Sequence, residues 1–371
     1  MVTKGEVPIA RPYVSEKAIQ AVVDTLRSGR IGQGPKAKKF EQAFCGTIGV
    51  PYAVAINSCA AGLRLALAIS GVGPGDEVIT TPLTWQATNH PILEQFAQPV
   101  FADIQFLTGN IDPSDIEHRV TERTKAILCI HWGGYPADMD EIHAVADKYG
   151  LSVIEEAADA LGATYHSRPV GVLSRFTSFS FYAIQIVTTV EGGMLTMLDE
   201  EDYEAAMRRR WFGIDRVRRK PRLDGYYDYD TRETGYGYPM NDVMAAMGWV
   251  HLEELDSLLQ RRKTIASVYR EALDGVPGVT LFEDRPDRTS GCQLFTIHVE
   301  RRDDFCRMMR DKRVAVLVMH VRNDQYTVFG GLRDDLPELD KFSKTYICIP
   351  LHNKLTDEDV DYVIQCIKGG W

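Results

Sequence analysis

Over the first half of the chain, short and nearly continuous apolar runs alternate with longer stretches that read as helices. The runs Tyr52–Asn57, Glu77–Thr80, Pro99–Asp103, Ala126–His131, Leu151–Glu155, Thr177–Phe181 and Met194–Met197 predict strands. Several lack polar alternation, as strands covered on both faces do. Between them, Ser15–Ser28, Ala60–Ser70, Ser114–Val120 and Asp140–Tyr149 predict helices. Strands alternating with helices point to an α/β fold: a large domain with a mostly parallel mixed sheet covered by helices.

The pattern changes at Arg216–Met240, which is rich in Arg, Tyr, Asp and Gly and has little period of either kind. It predicts a long ordered loop, since disorder usually comes with fewer aromatics. A helix is expected over Asn241–Leu258 and beyond. Later segments predict strands near Val279–Phe282 and Gln293–Val299 and helices at Asp303–Lys312 and Asp357–Lys368. That mixture suits a smaller α+β unit. With 371 residues to place, two domains are expected, 1–255 and 256–371.

Composition narrows the function classes. Hydrophobic residues make up 44% and charged residues 25%, a globular balance, and the net charge is −10. That charge argues against non-specific binding to nucleic acid or an anionic membrane. No run approaches the ~20 apolar residues of a membrane span, and the first residues lack the apolar core of a signal peptide. The seven cysteines are scattered without a C-x-x-C pair, so reduced thiols in a cytoplasmic protein and no metal site are expected.

Several segments carry candidate chemistry. After Tyr52–Asn57, the turn Ser58-Cys59-Ala60 leads into a helix. Small side chains and free N–H groups at a helix start favour a phosphate, although such turns are common without one. Trp85 follows a strand end, where an aromatic can stack on a planar ring or simply pack in the core. In Val153-Ile-Glu-Glu-Ala-Ala-Asp, Glu155 and Glu156 close a strand and point oppositely, so they cannot share one role.

Residues 178–193 read Ser-Phe-Ser-Phe-Tyr-Ala-Ile-Gln-Ile-Val-Thr-Thr-Val-Glu-Gly-Gly. With the segments above, and with Gly235-Tyr-Gly-Tyr-Pro-Met-Asn-Asp, they closely resemble the DegT/DnrJ/StrS sugar aminotransferases, which use pyridoxal 5'-phosphate. The resemblance begins at Pro8-Ile-Ala-Arg-Pro and covers almost the whole chain. It implies the fold of type I pyridoxal-phosphate enzymes and a homodimer with a shared site. It also implies cycling between pyridoxal 5'-phosphate and pyridoxamine 5'-phosphate, with glutamate as amino donor and a keto-sugar, commonly nucleotide-linked, as acceptor.

Residue by residue, the resemblance places the phosphate at Ser58, Cys59, Ala60 and Ser180, with Ala60 lacking the family's threonine hydroxyl. It puts Trp85 over the ring, Glu156 (usually aspartate) on the ring nitrogen and Asp159 (often Gln or His) near the ring oxygen. Gly237 stands where Asn or Lys often reaches the partner's phosphate. His320, Arg322, Asn323 and Asp324 match a substrate-side segment, and His131 a structural motif.

Gln185 occupies the position of the lysine that forms a Schiff base with the cofactor. A primary amide is neither a useful nucleophile nor a base near neutral pH. Three readings follow: an aminotransferase without its lysine, inactive or trapped; a pyridoxamine-phosphate-dependent sugar dehydratase, whose relatives carry histidine there; or a non-catalytic regulator that keeps the fold.

Overall fold

The computed structural model describes residues 6–371. Seven strands form the main sheet: β1 (Tyr52–Ile56), β2 (Glu77–Thr80), β3 (Gln98–Phe101), β4 (Thr124–Ile130), β5 (Ser152–Glu156), β6 (Phe176–Ser180) and β7 (Gly193–Met197). Their spatial order is β1-β7-β6-β5-β4-β2-β3. Neighbours from β6 through β5, β4 and β2 to β3 are parallel, whereas β7 runs antiparallel to both β6 and β1. The sheet is therefore mixed at one end. Because β7 opposes both its neighbours, β1 ends on the same edge as β5 and β6.

The helices owe their boundaries to local chemistry. In α1 (Glu16–Arg27), the Ser15 hydroxyl accepts from the Ala18 N–H. The next helix, α2 (Pro35–Ile48), starts on a proline that needs no donor and stops at Gly49, whose φ of 81° is left-handed. Helices α3 (Cys59–Ile69), α4 (Gln86–Glu94), α5 (Pro113–Arg119), α6 (Met139–Tyr149) and α7 (Glu200–Arg209) follow. Apolar residues of the sheet's two faces form separate clusters, one around Phe40, Phe44 and Ile127, the other around Leu63, Leu65 and Leu128.

Residues 216–240 are irregular as expected, apart from a short ladder of Lys220–Pro221 with Tyr227–Asp228. The continuous helix expected from Asn241 is instead two, α8 (Asp242–Glu253) and α9 (Leu255–Leu273), broken at Glu254. Beyond them, β8 (Val279–Leu281), β9 (Phe295–Val299) and β10 (Tyr346–Ile349) make a three-stranded antiparallel sheet. Strand β9 starts two residues later than expected. Cys292 has φ 53°, and the N–H groups of Gln293 and Leu294 donate to the Gly133 carbonyl rather than to a ladder. Helices α10 (Arg302–Asp311), α11 (Pro337–Thr345) and α12 (Asp357–Lys368) complete the chain. The core of this second unit includes Ile265, Tyr269, Ile297, Val363 and, from the other end of the chain, Val7, which pairs with Val314. Among the described residues no helix is long and apolar enough to cross a membrane.

Candidate active site

The polar groups singled out from sequence collect where β1, β5 and β6 end. Ser58 caps α3, its hydroxyl accepting from the Ala61 N–H at 3.2 Å. The Cys59 and Ala60 N–H groups begin the helix and have no carbonyl within it to bond. Close passage of β7 beneath this turn requires glycine at 193. A Cβ there would lie 2.7 Å from the Cys59 nitrogen and 2.8 Å from the Phe179 oxygen, both backbone atoms. Ser180 lies across the ladder from Gly193, and its hydroxyl accepts from the Tyr182 N–H at 3.2 Å.

Behind the turn, the Ser178 hydroxyl donates to the Cys59 carbonyl at 2.9 Å, a residue that sequence reasoning passed over. The Cys59 thiol faces Ser178 Oγ at 3.4 Å and Glu156 Oε1 at 3.5 Å. Glu156 also accepts from the Ala158 N–H at 2.8 Å. Burial, and then the charge of Asp159, raise its carboxyl to about 7. Burial likewise raises Asp159 to about 6, opposed by the Gln185 amide and by Arg262. Gln185 Nε2 donates to Asp159 Oδ1 at 3.2 Å. Two contacts, Cys59 with Glu156 and Gln185 with Asp159, therefore lie side by side, linked by the charge of Asp159 on Glu156.

The segment carrying Gln185 is braced from α9. The Ile184 carbonyl accepts from Gln293 Nε2 at 3.0 Å, and Gln293 Oε1 accepts from Arg262 Nη1 at 3.1 Å. Arg262 is buried and also donates to Asn353 at 2.8 Å. Sequence offered one clue to it, an arginine between Leu258, Leu259 and Ile265 on the apolar side of a helix.

Glu155 points away from this group, as alternation along the strand requires. It is fully buried against His131, with Nε2 and Oε2 2.7 Å apart. The Ala137 N–H donates to His131 Nδ1 at 3.1 Å, which leaves the ring proton on Nε2 to donate to Glu155. Burial pushes the Glu155 carboxyl up, but the His131 hydrogen bond and its neighbours bring it below its ordinary value. The His131 N–H donates to the Glu156 carbonyl, so this pair fixes the end of β5.

Trp85 is 58% exposed, so its ring is available to a ligand. Its nearest aromatic is His320, at 6.2 Å between centroids; His320 also meets Trp132 edge-on at 5.6 Å. Burial lowers the His320 imidazole to about 4, and its Nδ1 has no hydrogen-bond partner.

The other substrate-side candidates behave differently. Asn323 is buried, its Nδ2 donating to the Thr84 carbonyl at 2.7 Å and its Oδ1 accepting from Asn89 at 3.0 Å. Asp324 is buried too, paired through both oxygens with Arg322 and accepting from the Arg333 N–H. Arg322 also pairs with Asp340. The polar atoms of these three side chains are engaged by the protein: Asn323 fastens its segment to the loop before Trp85, while Arg322 and Asp324 pair with each other and with Asp340 and the Arg333 N–H.

Gly237 likewise presents no side chain to a ligand. Its Cα lies against the Phe212 ring, which a Cβ would approach to 2.8 Å. The adjacent Tyr238 carbonyl accepts from the Asn57 N–H at 3.0 Å, tying the loop to the end of β1.

Known proteins are similar to this chain over nearly their whole length. Residues 12–368 match the model of the DegT/DnrJ/EryC1/StrS aminotransferase family. The spore coat polysaccharide biosynthesis protein SpsC of Bacillus subtilis is 37% identical over 97% of this chain and 96% of its own. The crystal structure of the sugar aminotransferase CalS13 from Micromonospora echinospora superposes with a TM-score of 0.94 at 35% identity, covering 98% of this chain and all of that one. Spr1654 from Streptococcus pneumoniae, in its PMP form, gives 0.91 at 32% identity, covering 98% of each chain. The chain belongs to the DegT/DnrJ/EryC1/StrS aminotransferase family.

Proposed function

We propose that this protein is a sugar aminotransferase of the pyridoxal-phosphate type that holds its cofactor without the usual covalent tether. The observation that carries the reading is the pair of buried carboxyls between the α3 turn and residue 185, Glu156 against Cys59 and Asp159 against the Gln185 amide, with the charge of Asp159 acting on Glu156. The residues fit the group. The N–H groups of Cys59 and Ala60, with the Ser58 and Ser180 hydroxyls, would hold a phosphate. The exposed Trp85 face would take a planar ring, and Glu156 its nitrogen. When bound, the cofactor supplies an electron sink for a carbanion at the reacting carbon.

The protein's own part is to orient and to manage protons. Glu156, raised to about 7, would ionise against a cationic ring nitrogen. Gln185 orients through its hydrogen bond to Asp159 but cannot carry a proton near neutral pH. The expected behaviour is retention of a bound cofactor with little or no turnover. The acceptor is a keto-sugar, to be sought among nucleotide-linked sugars, with glutamate as donor and a homodimer as the working unit. The family supports this substrate class, as does the naming of CalS13 as a sugar aminotransferase.

The test compares the parent protein with Gln185→Lys. The variant, given pyridoxal 5'-phosphate, is expected to gain a borohydride-stable mass adduct at residue 185 and to convert glutamate to 2-oxoglutarate. A variant that binds the cofactor yet forms no adduct and spares glutamate would sink the proposal. Elimination of water from a sugar nucleotide by the parent, supplied with pyridoxamine 5'-phosphate, would replace it with the dehydratase reading.

A further inference from the structure

We infer that the pocket selects the amine form of the cofactor over the aldehyde form, through a carboxylate at Asp159 left without a neighbouring lysine. The inference rests on the cofactor reading above and deepens it. Asp159 and Glu156 lie close enough that the charge of one acts on the other, and each is only partly screened by protein: Asp159 Oδ1 accepts from Gln185, and Glu156 Oε1 from Ala158 and Cys59. Among the described residues, the second oxygen of each carboxylate has no protein donor within hydrogen-bond distance.

The one buried cation nearby, Arg262, spends its guanidinium on Asn353, Gln293 and the Cys292 carbonyl. A lysine at 185 would balance the two acids. Gln185 adds only an amide dipole, so among the described residues no side-chain cation bonds either carboxyl beside residue 185. The two cofactor forms differ at one substituent. The amine form presents a primary ammonium that can bond to a carboxylate; the aldehyde is neutral there, can only accept, and meets no lysine with which to react.

The experiment measures dissociation constants of the cofactor-free full chain for pyridoxamine 5'-phosphate and pyridoxal 5'-phosphate, read by quenching of tryptophan fluorescence. The parent is expected to bind the amine form about tenfold more tightly, the scale of one charge-assisted hydrogen bond. Asp159→Asn is expected to bring the ratio near unity, and Gln185→Lys to reverse it. A second arm guards against a misfolded variant by following the parent's ratio as pH falls from about 8 to about 5.

The groups facing Asp159 are Glu156, Gln185, Arg262 and the Cys348 thiol, which burial raises to about 12 and so keeps protonated. Of these, Arg262 stays charged, being lowered only to about 10, and Gln185 does not titrate. The Cys59 thiol, beside Glu156, stays protonated because burial raises it. The preference should therefore fade as Asp159, held near 6, and Glu156, held near 7, take up protons. Equal affinities in the parent, or a ratio that survives both Asp159→Asn and low pH, would overturn the preference while leaving the cofactor reading intact. Failure to bind either form would overturn both.

Discussion

Replacing Asn323 separates a latch from a ligand contact. Its side chain donates to the Thr84 carbonyl at 2.7 Å and accepts from Asn89 at 3.0 Å, in a position 1% exposed. In Asn323→Ala, Asn89 keeps its second bond, to the Thr81 carbonyl, but the Thr84 carbonyl loses its side-chain donor. A buried polar group left unsatisfied costs about 1–3 kcal/mol. The small void adds about 1 kcal/mol. The sum is about 2–4 kcal/mol, measured as a lower urea midpoint with unchanged slope for the cofactor-free protein. Asn323→Asp should cost more, because it turns a carboxylate toward the Thr84 carbonyl. Since Trp85 follows Thr84, both variants should also weaken cofactor binding. A loss of stability below about 0.5 kcal/mol, together with a large loss of sugar-nucleotide affinity, would refute the latch and return the residue to the substrate.

Three further outcomes follow from the geometry. Gly193→Ala should lower stability by about 1–3 kcal/mol in urea melts and weaken phosphate-dependent binding, because the new methyl meets backbone of both the α3 turn and β6; unchanged binding would count against that turn as the phosphate site. His131→Ala should cost about 3–5 kcal/mol by stranding the buried Glu155 carboxylate, and adding Glu155→Gln should restore much of it; if the double variant is no better, the charge is not the cause. For Glu156 the folded value near 7 lies above the ordinary 4.5, so its contribution to stability is full below about 4.5 and is lost as pH rises through 7. The cofactor-free parent should lose roughly 1–3 kcal/mol between about pH 5 and pH 8, and Glu156→Gln should remove the larger part of that decline in pH-dependent melts.

What could be read from sequence followed from which interactions are local. All seven strands of the main sheet are visible as apolar runs because helices cover both faces of that sheet. Helices α2, α4, α7 and α11 were not anticipated. In α4 an internal Pro91 blurs the pattern, while α2 is marked chiefly by its terminal Pro35 and Gly49. The break at Glu254 is equally hidden, since α8 is buried nearly all round and shows no one-sided stripe to end. In the site, Ser58, Glu156 and Gln185 were singled out because the resemblance to the family matches their segments to its cofactor motifs. The engagements of Asn323 and Asp324 were not, since a polar loop residue looks the same whether it faces water or a carbonyl 239 positions away. The braces Arg262 and Gln293 depend on similar long-range meetings.

The sheet order has a consequence for biosynthesis. Strand β7 sits between β1 and β6, although it is the last of the seven to be made. While a growing polypeptide on the ribosome still lacks it, the facing sides of β1 and β6 have no ladder partner, and β1 is apolar while β6 carries two phenylalanines. Free vitamin cannot act as a folding aid at that stage, because the floor beneath the Ser58 turn arrives only with Gly193. Protection of the nascent protein must come from elsewhere, and a ribosome-stalled fragment ending before residue 193 should bind chaperones and ignore the cofactor.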